Sequence, residues 1–340
     1  HVQCKLCLVN LTLVGAKADD HGARNAGSPA VAMGPGAAPA GARFSRPVRL
    51  ALWQGALNAP GEWEAELREV ARSAKEGGAE LLLTPELCLP GFHFFGHSGF
   101  SAQREAVEAR IATIASEEGL ALCVGYAERR HGARDFWNTA VLVDSAGQVR
   151  HRYRKHHLWG NEANLGIVAS DEDLEVVELD FPGPPSPCRV RVGVLICYDV
   201  EFPEMARALA CAPRSAELLL VPTALPYTEP NAATRIVPAR AMENRMFVAY
   251  CNYPCVLRVD REYFCGHSNV SGPDAEFLAG PCDWAHEGLL FCSVGWDENL
   301  RWLADETPYL RDRRPDFYRS QGLCQAGRDP HGEAPGKKVG

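Results

Sequence analysis

The run Val192-Gly193-Val194-Leu195-Ile196 ends on Cys197, and a short polar turn then leads to Pro203. Branched apolar residues without polar alternation read as a strand covered on both faces, and Pro203 suits the first turn of a helix. A strand that stops at a cysteine and turns sharply into a helix holds the sulfur at the sheet's end. Backbone N–H groups of the turn then face whatever the sulfur attacks, which is how many nucleophiles are presented. Two other strand ends carry charge: Glu86 follows Leu81-Leu82-Leu83-Thr84-Pro85, and Lys155 follows Arg152-Tyr153-Arg154. A lone cysteine usually packs as a small hydrophobe, and a lone charge at a strand end is usually its first solvated residue. Glu, Lys and Cys at three such ends in one chain point to a shared site.

The elements that must position these residues follow from periodicity. Residues 48–53, 79–84 and 120–126 read as strands, with helices over 62–76 and 101–118 between them. Trp63, Leu67, Val70, Ala71 and Ala74 fall on one helical face, and Gly77-Gly78 ends that helix. Residues 138–144 and 148–154 flank Ser145-Ala146-Gly147 as a hairpin. Strands follow at 174–179, 189–196, 217–221, 246–251, 264–270, 275–278 and 289–294, with helices over 203–209 and 231–245. Strands alternating with helices call for helix-covered sheets, and the hairpins exclude a purely parallel one. The expected class is α/β, with two mixed sheets face to face and helices outside.

The sequence shows no internal repeat, and no linker splits residues 48–320, which read as one domain. Residues 1–47 include the low-complexity run Gly34-Pro35-Gly36-Ala37-Ala38-Pro39-Ala40-Gly41-Ala42, which cannot form a core. That segment reads as a disordered leader without an address; a transit-like leader and a weak signal peptide around residues 6–14 stay open. Residues 321–340 read as a flexible tail.

Composition narrows the partner. Asp and Glu total 43 against 35 Lys and Arg, a formal net charge of −8 and not the basic footprint of a nucleic-acid binder. No apolar run reaches membrane-spanning length. A small molecule is the expected partner, with neither nucleic acid nor membrane. The 13 cysteines are odd in number and scattered, so a disulfide framework is not expected and a cytoplasmic location is.

The order Glu86 in Thr-Pro-Glu-Leu, Lys155 in Tyr-Arg-Lys-His-His-Leu and Cys197 in Ile-Cys-Tyr-Asp resembles the nitrilase superfamily of carbon–nitrogen hydrolases. The resemblance runs over residues 48–318 and includes Ala51-Leu52-Trp53-Gln54 and Pro238-Ala239-Arg240-Ala241-Met242-Glu243-Asn244. It implies a four-layer α-β-β-α sandwich that assembles as a homodimer or higher homo-oligomer, and no metal or organic cofactor. It also implies that Cys197 is the nucleophile, that Glu86 exchanges its proton, and that Lys155 with the Tyr198 N–H stabilises the oxyanion. Glu162 matches a second glutamate of the family, although relatives usually continue toward Phe-x-Pro-Gly and this chain runs Asn164-Leu165-Gly166-Ile167. Asp199 is expected to hold the turn after the nucleophile, and Arg240, Glu243 and Asn244 to brace their helix at i, i+3 and i+4. His156 and His157 lack further ligands at metal spacing.

Ile-Cys-Tyr-Asp-Val-Glu-Phe-Pro-Glu, with Pro222-Thr223-Ala224 and Ala249-Tyr250-Cys251-Asn252-Tyr253, is most similar to short-chain aliphatic amidases of the 5-aminopentanamidase kind. The implied reaction is hydrolysis of a small aliphatic amide to carboxylate and ammonia through a cysteine thioester. An N-carbamoyl amine hydrolase using the same three residues, and a scaffold that keeps the fold without turnover, are the rival readings.

Overall fold

The computed structural model describes residues 44–57, 62–89, 104–130, 135–211, 213–255 and 264–323. The expected leader up to residue 43 and tail from 324 lie outside these residues. Packed structure begins ahead of the boundary expected at Val48: Phe44 is buried against Phe247, ring centroids 5.5 Å apart. Arg46 pairs with Glu80 at 2.6 Å.

The first sheet is built from β1 (Val48–Gln54), β2 (Leu81–Leu83), β3 (Ala121–Arg129), β4 (Phe136–Val143), β5 (Val149–Arg154) and β12 (Gly288–Val294), in the order β12-β1-β2-β3-β4-β5. The second contains β6 (Val176–Phe181), β7 (Cys188–Val194), β8 (Leu218–Pro222), β9 (Phe247–Cys251), β10 (Asn269–Ser271) and β11 (Phe277–Ala279), in the order β11-β10-β9-β8-β7-β6. In each sheet a parallel trio, β1-β2-β3 or β7-β8-β9, is extended by antiparallel strands. The two halves share this pattern without an internal sequence repeat.

Side chains alternate across a strand, so even all-apolar strands divide their residues between layers. Leu50, Leu52, Leu81, Leu83 and Cys123 face the central core, together with Val192, Val194, Leu218 and Leu220 of the second sheet. Ala51, Trp53, Leu82, Leu122 and Val124 face outward, where α1 (Trp63–Glu76) supplies Leu67 and Ala71 and α2 (Arg104–Glu118) supplies Ile111 and Ile114. On the second sheet α3 (Pro203–Ala210) and α4 (Val237–Asn244) cover the outer face. The architecture is the expected helix-sheet-sheet-helix sandwich.

Three expectations change. The helix expected over 231–245 begins as a π turn, Ala232–Ile236, before α4. Pro238 carries no N–H for the regular ladder, and the wider turn precedes it. The strand expected over 264–270 is regular only at Asn269–Ser271, because Gly266 and His267 both adopt positive φ, 62° and 61°. Two helices went unassigned, α5 (Glu298–Glu306) and α6 (Pro315–Ser320). Among the described residues no helix is long and apolar enough to cross a membrane.

Candidate active site

Glu86 stands just past β2, where the chain leaves the first sheet. Its N–H donates to the Thr223 carbonyl at 3.2 Å, beyond the end of β8, and its carbonyl accepts from the Tyr253 hydroxyl at 2.9 Å. Both bonds cross between the sheets and set the glutamate's main chain against the second one. Beneath it lies Gly125 of β3, where a Cβ would come within 2.5 Å of the Pro85 carbonyl oxygen and 2.8 Å of the Leu87 nitrogen. The segment carrying Glu86 can lie this close to β3 only over a glycine.

Lys155 follows β5. Its N–H donates to the Asn138 carbonyl at 2.9 Å and its carbonyl accepts from the Ser170 N–H at 2.9 Å. The side chain is 1 % exposed, yet its Nζ is 2.7 Å from Glu86 Oε1 and 2.7 Å from Glu162 Oε1. A buried ammonium is tolerated when paired and hydrogen-bonded. Burial works against this charge, but Glu86, Cys197 and Glu162 outweigh it and hold the ammonium above its ordinary range.

Glu162 opens the 3-10 turn Glu162–Leu165 and is buried. Its Oε2 accepts from the Trp159 N–H at 2.8 Å, which leaves Oε1 for Lys155. Burial raises its pKa; Lys155 opposes the shift and the Glu86 charge adds to it. The glutamate matched through resemblance is therefore brought to the lysine, despite the altered residues after it.

Cys197 begins a second 3-10 turn, Cys197–Glu201, directly after the β7 run, and α3 starts at Pro203 as expected. Its φ is 47°, in the left-handed region that a residue with a side chain enters at a cost of about 1–3 kcal/mol. The thiol is buried, and burial and then the Glu86 charge push its pKa well above 9.0, while Lys155 and a hydrogen bond to the Ala224 backbone pull the other way. Burial thus favours the neutral thiol over the thiolate at Cys197, beside the Lys155 ammonium.

Asp199 does more than close its own turn. Fully buried, it accepts from the Tyr153 hydroxyl at 2.7 Å and from the His157 and His156 N–H groups at 2.8 and 3.3 Å. The His157 Nδ1 lies 2.8 Å away as well. The turn carrying Cys197 is thereby fastened to the residues on either side of Lys155. Arg240 reaches beyond its helix too: it pairs with Glu243 at 3.1 Å and donates to the Val200 and Glu201 carbonyls at 2.9 and 2.6 Å. Asn244 donates to the Arg240 carbonyl at 2.9 Å. Among the described residues no cluster of His, Cys, Asp and Glu is arranged to hold a metal ion.

The structure thus brings Glu86, Lys155, Glu162 and Cys197 to one place between the sheet ends. Two further neighbours escaped the sequence reading. Asn138 donates to Glu86 Oε1 at 2.6 Å, and Tyr253 holds the Glu86 carbonyl. Asn138 carries no signal beyond its place at the start of a hairpin strand.

A family model described as "Carbon-nitrogen hydrolase" matches residues 49–296, a span that contains all four. The chain belongs to the carbon–nitrogen hydrolase family. It is an enzyme that hydrolyses carbon–nitrogen bonds other than peptide bonds. A protein from Pseudomonas protegens described as "Hydrolase in pqqF 5'region" is 38% identical over 268 residues, 74% of this chain and 83% of the relative. A 2-oxoglutaramate amidase from Paenarthrobacter nicotinovorans is 29% identical over 255 residues, 72% of this chain and 82% of that protein. Among solved structures, an amidase from Nesterenkonia sp. superposes with a TM-score of 0.67 at 32% identity, covering 81% of this chain and 97% of its own. One mutant of that amidase was solved with butyramide, and another with the acetamide moiety of fluoroacetamide added covalently at the active-site cysteine.

Proposed function

We propose that this carbon–nitrogen hydrolase cleaves a small aliphatic primary amide to its carboxylate and ammonia through a thioester on Cys197. The observation that carries the reading is the buried Lys155 ammonium held at 2.7 Å by both Glu86 and Glu162, in the field of a thiol at a strained strand-to-helix turn. The Nesterenkonia amidase, whose mutant was solved with butyramide, supports a substrate of that size.

The chemistry follows from the charges. The neutral thiol must lose its proton as it attacks, and the Glu86 carboxylate takes it. The sulfur bonds to the amide carbon, and the carbonyl electron pair moves to oxygen. That oxyanion is stabilised by the Lys155 ammonium, and the Tyr198 N–H in the nucleophile's turn is the second donor. Protonated Glu86 then gives its proton to the leaving nitrogen, the C–N bond breaks, and ammonia departs from a thioester. Water enters, gives a proton to Glu86, attacks the thioester carbon and releases the acid; the proton returns to sulfur. Glu162 holds Lys155 from the other side and faces the amide group.

Ammonia release tests the reading, using butyramide, 5-aminopentanamide and N-carbamoylputrescine with wild type and Cys197→Ala. Turnover of the two amides by wild type alone is expected. Turnover of N-carbamoylputrescine only, with release of carbon dioxide, would identify a carbamoylase instead. Equal ammonia from Cys197→Ala would overturn the thioester route, and no turnover of any compound would favour the scaffold reading.

A further inference from the structure

Asn138 touches both charged partners of the nucleophile. It lies on β4, fully buried, in the layer between Glu86 and the end of β5. Its side-chain Nδ2 donates to Glu86 Oε1 at 2.6 Å, and its main-chain carbonyl accepts from the Lys155 N–H at 2.9 Å. The same Glu86 oxygen accepts from Lys155 Nζ at 2.7 Å. Oε1 is thus committed to two donors, and Oε2 is the oxygen left to exchange a proton.

The other end of the Asn138 amide is informative. Its Oδ1 is buried and has no hydrogen-bond partner among the described residues. A buried polar atom without a partner destabilises a fold, and an apolar side chain of similar size would avoid that cost. Asparagine at this position is therefore a poor choice for packing alone. Such costs recur where a site needs the other half of the group.

We infer that Asn138 is a positioning residue for Glu86: by occupying Oε1 together with Lys155, it fixes Oε2 as the proton-exchanging oxygen. The inference rests on the reading of Glu86 as the proton acceptor for Cys197. Among the described residues, the charged and titratable groups facing Glu86 are Lys155 from the end of β5, Cys197 from the turn after β7, and Glu162 across Lys155. The Tyr253 hydroxyl donates to the Glu86 main-chain carbonyl. A hydrogen bond to the charged form stabilises that form. Removing the donor therefore leaves Oε1 to Lys155 alone and frees the carboxylate to turn away from Cys197.

The test compares wild type with Asn138→Leu and Asn138→Asp in two assays. One is kcat/KM on an amide that wild type hydrolyses, and the other is the rate of Cys197 alkylation by iodoacetamide, which needs no knowledge of the substrate. Asn138→Leu is expected to lose about 10- to 100-fold in kcat/KM, mostly in kcat, with a melting temperature equal to or above wild type. Its Cys197 alkylation is expected to slow by a similar factor. Asn138→Asp is nearly isosteric but lacks the amide donor, so it decides the matter if the leucine variant does not fold, and it is expected to lose kcat with KM little changed. Wild-type kcat and alkylation rates in the folded variants overturn the inference. If wild type hydrolyses no amide, the functional reading fails, while the alkylation rate still decides whether Asn138 governs Glu86.

Discussion

Lys155 keeps its charge in a place this dry because two carboxylates share it, Glu86 and Glu162, each at 2.7 Å. Removing the shared cation leaves two buried acids facing one another. Lys155→Met is therefore expected to cost about 3–5 kcal/mol of stability, read by denaturant unfolding; an unchanged midpoint would mean that water reaches these acids. The sulfur has the opposite problem. Burial and the Glu86 charge hold Cys197 as a thiol, with a pKa well above 9.0. A raised acid pKa means that the neutral form persists to a higher pH than for an ordinary thiol. The ultraviolet thiolate signal, taken as wild type minus Cys197→Ala, is expected to be absent at neutral pH. A thiolate already present there would remove the need for Glu86 as base. Glu86, Lys155 and Cys197 were legible in the sequence because each ends a strand. Asn138 was not, nor was the reach of Asp199 beyond its own turn, because both depend on partners on distant segments: Glu86 for one, Tyr153, His156 and His157 for the other.

At the scale of elements, strand ends are held in register by a few close approaches. One is at Gly125, where an added Cβ would lie 2.5 Å from the Pro85 carbonyl oxygen and 3.0 Å from the Glu86 Cα. Gly125→Ala must push the segment carrying Glu86 away from β3. Misplacement by about 1 Å can cost roughly 100-fold in rate. The variant is expected to lose kcat by about that factor, measured on the best amide, while far-ultraviolet circular dichroism stays close to wild type; full activity would mean that Glu86 has slack. Most strands and helices were readable from periodicity and from punctuation such as Gly77-Gly78 and Ser145-Ala146-Gly147. The π turn ahead of Pro238 was not, because a proline inside a helical pattern does not say how the preceding turn adapts. α5 carried a readable signal that was passed over: Asp297 caps it by accepting from the Leu300 N–H at 2.8 Å, ahead of Leu300, Leu303 and Ala304 at helical spacing.

At the scale of the whole molecule, the site exists because two sheets meet. Glu86 and Lys155 come from the first, Cys197 from the second, and the core between them holds Leu52, Leu83, Val194 and Leu220. Leu220→Ala opens that core beside the strand preceding the nucleophile and is expected to cost about 2–5 kcal/mol, seen as a lower denaturation midpoint; a change near zero would mean the sheets are loosely packed. The sandwich was foreseeable because unbroken apolar strands need cover on both faces. The likeness between the two halves was not, since it is one of topology without sequence repeat. The proposed thioester route requires a covalent intermediate on Cys197, which intact mass after brief mixing with butyramide or 5-aminopentanamide would reveal. An adduct equal to the acyl group, present on wild type, located at Cys197 and missing from Cys197→Ala, is the predicted result. Amide hydrolysis with no adduct on wild type under rapid quench, and undiminished in Cys197→Ala, would contradict it.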